Sequence, residues 1–474
     1  MGCHAPGNES GSPPWWPVLA ARAVSCMLGL LLSFGVPAAT FNVTSAADVP
    51  DVTPGDGKCE TVVDSQVVCT LRAAVQEANV LAGTDVINLQ ANTTYLLTRV
   101  GIEFASLSGS IDILDSVQIV GAGPDSTIID GNGDVTGDRV FFVAACIGGD
   151  QFCTQGNVSA TLSGISIRHG KTTGDGGGID APIVDFAPFL TLTNCRVEDN
   201  TSGGQGGGIN SFALSLADTV VRRNSAVHGG GASASSNEIT DSTFSDNTAS
   251  GNGGALLGGP GRISGSTFNG NHAASGGALY TTSGVPNVPR VRNSTFALNR
   301  SDAGGGGIRI ASGGANLYNV TIAGNSANVD RTGSDGAGSG LLVGAGATVN
   351  VSNSIIANNY SYTDSLFLIQ NDCAGTFHSN GFNIVTHASC TITGTFSNAS
   401  VSFGLLQDNG GPTQTLALLP GNAAIDGGDP TGCADDQGPL TVDQRGLPRP
   451  AGAACDLGAY EVQDLIFEDG FDAP

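Results

Sequence analysis

Positive charge is scarce in this sequence. Of 474 residues only 18 are Lys or Arg, just two of those are lysines (Lys58 and Lys171), and 42 acidic residues bring the formal net charge to −24. A chain of that charge repels phosphate at every approach, which argues against a nucleic-acid partner. The glycine cluster Gly336-Ala-Gly338-Ser-Gly340 lacks a Walker lysine and is followed by no helical pattern, so a nucleotide loop is not expected. Charged residues make up only 13% of the chain and aromatic residues 6%, a poor fit to an ordinary helical or doubly wound globule. Long apolar runs are missing too. Met27-Leu-Gly-Leu-Leu-Leu-Ser-Phe-Gly-Val36 is shorter than the roughly 20 residues a spanning helix needs. Preceded by Arg22 and followed by Pro37-Ala-Ala39, it reads as a signal peptide, residues 1–39, cleaved near Ala38 or Ala39. No transmembrane helix is expected in the mature chain.

What the sequence has in abundance is glycine, 71 residues, arranged in a repeat. Gly206-Gly-Gly-Ile209, Gly229-Gly-Gly-Ala232, Gly253-Gly-Ala-Leu256 and Gly276-Gly-Ala-Leu279 recur about every 23 residues, and Gly305-Gly-Gly-Ile308 follows an insertion. A second word alternates with the first. Phe244-Ser-Asp-Asn247, Phe268-Asn-Gly-Asn271, Phe296-Ala-Leu-Asn299 and Ile322-Ala-Gly-Asn325 each place an apolar residue three positions before an asparagine, and Val197-Glu-Asp-Asn200 and Val221-Arg-Arg-Asn224 extend the series.

A unit this short holds two or three strands and buries its apolar side only by stacking on its neighbours. The fold class implied is all-β, a right-handed single-stranded parallel β-helix, with Phe244, Phe268, Phe296 and Ile322 stacked inward. The asparagines are expected to take the left-handed corner conformation and to bond one another between coils. Residues 106–365 predict ten or eleven coils. The insertions Ser283–Arg290 and Asn328–Asp335 are expected to bulge from one corner, where a binding surface would form.

The flanks differ from the repeats. Residues 40–105 contain the one helical pattern, Cys69-Thr-Leu-Arg-Ala-Ala-Val-Gln-Glu-Ala-Asn79, with Leu71, Ala74, Val75 and Ala78 on its apolar stripe, suited to capping an open coil end. After signal cleavage nine cysteines remain, and eight fall into near neighbours: Cys59 with Cys69, Cys146 with Cys153, Cys373 with Cys390, Cys433 with Cys455. These are expected to be structural disulfides in an oxidising compartment. Cys195, left over, occupies in Thr193-Asn-Cys195 the place Ser242 holds in Thr240-Asp-Ser242, and reads as a small buried residue.

Phe41-Asn-Val-Thr44, Pro54-Gly-Asp-Gly-Lys-Cys59 and Cys69-Thr-Leu-Arg-Ala-Ala74 together resemble the CSLREA domain of bacterial surface proteins. Asn409-Gly-Gly-Pro-Thr-Gln-Thr-Leu416, Ala424-Ile-Asp-Gly-Gly428, Asp443-Gln-Arg-Gly446 and Cys455-Asp-Leu-Gly-Ala-Tyr-Glu461 look like the choice-of-anchor Q domain, which would make residues 366–463 a C-terminal cap and residues 464–474 a terminal tail. Gly253-Gly-Ala-Leu256 and Phe268-Asn-Gly-Asn271 are similar to the repeats of polymorphic outer membrane proteins. These resemblances imply a pectate-lyase-like fold and an exported protein in the extracellular space or on the outer surface of a bacterium. They carry no catalytic residues with them.

The chemistry in the sequence is sparse. Arg168-His169-Gly-Lys171 is the only basic cluster within the repeats, with Arg222-Arg223 and Asp199 at the same corner, and reads as solvated turn residues. No catalytic residue is assigned. Eight of the 42 acidic residues are Glu, leaving 34 Asp, an excess that suits turns or calcium. The candidate calcium ligands are Asp130, Asn132, Asp134 and Asp138, whose alternate oxygens resemble an EF-hand loop. Val135 stands where glycine belongs and Phe141 where the bidentate glutamate belongs, so a β-helix turn is the preferred reading. Asp426, Asp429, Asp435 and Asp436 form a second cluster. The function expected is a non-catalytic surface protein in adhesion, extracellular glycan contact or surface structure. The alternative is a polysaccharide lyase or glycoside hydrolase.

Overall fold

A computed structural model describes residues 38–144, 157–184, 186–259, 261–282, 288–332, 337–363 and 367–463. The chain winds as a right-handed parallel β-helix, with 30 strands in one continuous sheet and nine in a second. From Ser159 to Ala374 each coil visits three faces of the large sheet and one short strand of the small sheet. In the central coil the first face is the end of Ala232–Thr240 and the second is Thr243–Ser245. The small sheet then takes Thr248–Asn252, and the third face takes Leu256–Gly258. The next coil stacks in parallel register on each of them: Ile239 on Ile263, Phe244 on Phe268, Thr248 on His272 and Leu256 on Leu279.

Alternation decides which side chains point inward. On the second face Ile129, Ile167, Val197, Val221, Phe244, Phe268, Phe296, Ile322 and Ile356 form one buried row along the axis. Within it the rings of Phe244 and Phe268 lie 4.9 Å apart and those of Phe268 and Phe296 4.6 Å, both stacked. The offset between coils equals the strand spacing, which is also a comfortable separation for stacked rings.

The corner after the second face corrects one expectation. The left-handed residue is the one before each asparagine: Asp199, Arg223, Asp246, Gly270 and Leu298, with φ between 52° and 66°. The asparagines are turned inward, where their amides form a continuous ladder. Asn200 donates through Nδ2 to Oδ1 of Asn224, and so on through Asn247, Asn271, Asn299, Asn325 and Asn359, at 2.9–3.0 Å throughout. Each backbone N–H donates to the same oxygen. The run starts at the Gly170 N–H and ends at the carboxylate of Asp372, which accepts from Asn359 at 2.9 Å.

Across the coil, glycine is required by contact. A Cβ on Gly230 would lie 2.4 Å from the Thr248 carbonyl oxygen and 2.5 Å from that of Gly254, and Gly229 before it sits at φ 61°. Alanine at either place collides with backbone or strains it.

Two further expectations change. Among the described residues the third face carries nine strands between residues 106 and 365, from Ile111–Ile113 to Leu341–Val343, rather than ten or eleven. Loops lengthen several coils well beyond 23 residues, so dividing length by period overcounts. Residues 283–287 of the insertion Ser283–Arg290 and 333–335 of Asn328–Asp335 lie outside the described residues. The strands that flank the first belong to the third and first faces, and those that flank the second to the small sheet and the third face, so the two insertions are not at one corner.

At the N-terminal end the helix Leu71–Ala78 closes the stack, capped by Thr70, whose hydroxyl accepts from the Ala73 N–H at 3.1 Å. Arg72 is buried beneath it, ion-paired to Asp48 at 2.6 Å and donating to the carbonyls of Ser106, Gly109 and Ser110. Parallel pairing already begins at Thr40–Asn42 on Asp85–Asn88. At the other end Cys373–Ala374, Thr376–Ser379 and Ile384–Val385 continue the stack. The chain then turns back along the outside of the coils. Gly458 donates to the Asn353 carbonyl at 2.8 Å, and Arg449 reaches Asn293. Gln444 donates to Thr267 at 2.8 Å, and Thr413 to the Gly265 carbonyl at 2.7 Å. This segment covers the outer side of the second face over successive coils, held internally by the buried pair Arg449–Glu461 at 2.9 Å.

Candidate functional site

Most of the candidate calcium loop and the basic cluster converge at one place. A groove of about 550 Å³ opens beside the corner between the second face and the small sheet, lined by Leu96, Asp130, Asn132, Gly133, Asp134, His169, Gly170, Lys171, Asp199 and Thr201. It joins the candidate calcium loop to the basic cluster. Stacking brings them together: Arg168 lies in register with Asp130 on one side and Glu198 on the other, and Glu198 with Arg222.

Read along the axis, Asp130, Arg168, Glu198 and Arg222 alternate in sign. Arg168 pairs with Asp130 at 2.9 Å, and His169 Nδ1 lies 3.0 Å from the same oxygen. Glu198, almost buried, takes Arg222 at 2.6 Å and Arg223 at 3.0 Å. Arg223 also grips Asp199 through two hydrogen bonds, which holds the Asp199 carboxyl below its usual range. Lys171 meets Asp134 at 2.8 Å in open solvent and lowers that carboxyl as well. Every charged side chain lining the groove therefore has an opposite charge beside it, two of them in its wall, and the basic cluster is a set of cross-coil ion pairs.

Of the candidate calcium ligands, Asp130 faces Arg168 and His169, and Asp134 faces Lys171. Asp138 turns away to accept the N–H groups of Ser110 and Arg139. Asn132 takes a left-handed conformation at the start of the short helix Gly133–Thr136 and donates to the Leu97 carbonyl at 3.2 Å. Among the described residues no group of three or more His, Cys, Asp or Glu is placed to hold a metal ion. The second aspartate cluster is divided. Asp435 and Asp436 bind Arg292 and Arg290 of the coil wall at 3.0 and 2.6 Å, while Asp426 and Asp429 accept from nearby backbone N–H groups.

Among the described residues three disulfides are present: Cys59–Cys69, Cys373–Cys390 and Cys433–Cys455. Cys146 and Cys153 lie outside the described residues. Cys195 is a buried free thiol in the place taken by Thr219, Ser242 and Ser266 in later coils, where each hydroxyl accepts from the N–H of the coil before. Burial pushes its thiol up to about 11.

Sequence reading missed a second acidic group on the third face. Asp112 is buried against Ser110 and Ser106. Asp180 pairs with Arg139 at 2.8 Å and accepts from Asn210. Burial raises both carboxyls, to about 7 and about 6. Their alternating position in Ile111–Ile113 and Ile179–Ala181 was visible in the sequence, but the loops that cover them were not.

Two segments, residues 241–259 and 265–282, match the Chlamydia polymorphic membrane protein repeat. Each spans most of one coil: the turn into the second face, the phenylalanine strand, the asparagine, the small-sheet strand, the glycine turn and the third-face strand. The chain is thus a β-helix protein whose central coils resemble that repeat. No match was found among curated proteins.

Proposed function

We propose that this chain is an exported bacterial surface protein in which the β-helix is a non-catalytic scaffold, offering a lateral face for adhesion or glycan contact. The observation that carries the reading is the pairing of charges in the groove. Lyase chemistry on this fold asks for a base poised beside substrate, and hydrolase chemistry for two carboxylates free to exchange protons. Here Asp130, Glu198 and Asp199 are each engaged by cations from neighbouring coils. The likeness of the central coils to a repeat of membrane proteins supports surface placement. So do three disulfides, which suit an oxidising compartment. The resemblances to the CSLREA and choice-of-anchor Q domains supply the expected division into an N-terminal cap to residue 105, coils from 106 to 365 and a C-terminal cap to 463.

The test has two parts. Fractionation of producing cells should place the protein in the outer membrane or the medium. Purified protein incubated with pectin, alginate and neutral glycans should retain some of them without shortening any. Chain cleavage that disappears in Asp130→Asn or His169→Ala would replace this reading with the polysaccharide-cleaving one.

A further inference from the structure

We infer that Asp85 is the receptor for a new N-terminus: hydrolysis of the Ala38–Ala39 peptide bond leaves an α-ammonium on Ala39 that forms a buried ion pair with the Asp85 carboxylate. The inference rests on the export reading above and goes beyond it by fixing the cleavage site and giving the new terminus a structural role.

The backbone nitrogen of Ala39 lies 2.7 Å from Oδ1 of Asp85. Asp85 is completely buried, and its second oxygen, Oδ2, has no hydrogen-bond partner. Burial, with a smaller contribution from the charge of Asp115, the other ionisable group facing it, raises the Asp85 carboxyl above its usual value. A carboxylate that is buried with one amide donor on one oxygen is costly. An ammonium at the same nitrogen carries three donors and a positive charge, and supplies both what Oδ2 lacks and what the carboxylate charge requires.

Among the described residues, Ala39 is also the first that the fold holds. Its carbonyl accepts from the Val86 N–H at 2.9 Å, and Thr40 pairs with Val86 at the start of the first strand, whereas Ala38 is exposed. Of the two cleavage points the sequence offers, scission after Ala39 would discard both the nitrogen on Asp85 and the carbonyl on Val86. Scission after Ala38 keeps them. The chemistry is simple hydrolysis by a signal-peptidase-type enzyme: the acyl C–N bond breaks, water supplies the hydroxyl of the new Ala38 carboxyl, and its proton together with one from solvent makes the Ala39 ammonium.

The full precursor is to be expressed in an exporting bacterium and the N-terminus of the exported protein determined by intact mass and peptide sequencing. It should begin at Ala39. Acylation near pH 7 is then followed by peptide mass, a clean measurement because the chain has only two lysines to compete. The α-amine of the native protein should react at least ten-fold more slowly than after denaturation, and Asp85→Asn should remove the difference. Because that variant risks misfolding, a second precursor inserts one alanine after Ala39, so that scission after Ala38 exposes an amine displaced from an intact Asp85. Its amine should react at the denatured rate while the fold is retained. An exported protein beginning elsewhere, or a native Ala39 amine that reacts as fast as the denatured one, overturns the ion pair and leaves export standing. A precursor that stays uncleaved inside the cell overturns the export reading itself.

Discussion

The side-chain amide of Asn271 donates to Oδ1 of Asn299 at 2.9 Å, and the same oxygen accepts the Asn271 backbone N–H at 3.1 Å. One coil earlier Asn247 makes the identical pair of bonds to Asn271, and Asn271 gives its remaining amide hydrogen to the Phe244 carbonyl at 3.0 Å. Each amide in the ladder turns its oxygen toward the preceding coil and one N–H toward the next, C-terminal coil. The aligned dipoles reinforce one another, and the carboxylate of Asp372 stands at their positive end, where an anion is favoured.

Replacing Asn271 by alanine strands the two donors of Asn247 in a dry interior, for a loss of about 2–6 kcal/mol at 1–3 kcal/mol per unsatisfied group. Gly270→Ala, at the left-handed corner itself, should cost about 1–2 kcal/mol. Urea unfolding of both variants gives the order. A larger loss for Gly270→Ala would mean that corner strain, and not the ladder, dominates this edge.

Phe268→Ala removes the middle ring of three stacked rings and leaves a cavity between Phe244 and Phe296, an expected loss of about 3–5 kcal/mol. Coils of a solenoid lean only on their neighbours, so the damage should stay local. Hydrogen exchange should quicken between residues 244 and 299. Unchanged protection there would refute the shared role of the three rings.

Cys195 should resist modification. Its thiol is buried and pushed up to about 11, so little thiolate forms at pH 8. A maleimide should leave it unlabelled in the native protein and label it on unfolding, while non-reducing peptide maps recover Cys59–Cys69, Cys373–Cys390 and Cys433–Cys455 as linked pairs. Fast native labelling would show that the first coils open readily.

Asp112 makes stability depend on pH. Burial, the largest cause, lifts its carboxyl from 3.8 to about 7 in the folded chain. The raised value means its contribution is fully present below about pH 4 and declines as pH climbs through 7, because the unfolded chain ionises first. The slope approaches about 1.4 kcal/mol per pH unit within that window. Thermal melts from pH 4 to 8 should show the N-terminal coils weakening, and Asp112→Asn should flatten the trend. An unchanged slope would exclude Asp112 as its source.

What the sequence determined by itself was the coil. The alternation of Ser-Thr-Phe words, the asparagine three places on and the glycine turns are short-range features. Strand period and turn chemistry are local physics, so the stacked phenylalanines and the bonding of asparagines between coils were legible in the order of residues alone. The tertiary structure decided the rest. It moved the left-handed residue one place ahead of the asparagine, because the amide is needed inside the coil. It set the number of coils, since loops of unequal length break the 23-residue period. It brought Asp130, Arg168, Glu198 and Arg222 into one alternating row, although their spacing along the chain is uneven. It also laid the C-terminal segment against coils 140–180 residues earlier in the chain, through bonds such as Gln444 to Thr267 and Thr413 to Gly265. Contacts at that separation depend on the exact register of every coil between them, which no local pattern records.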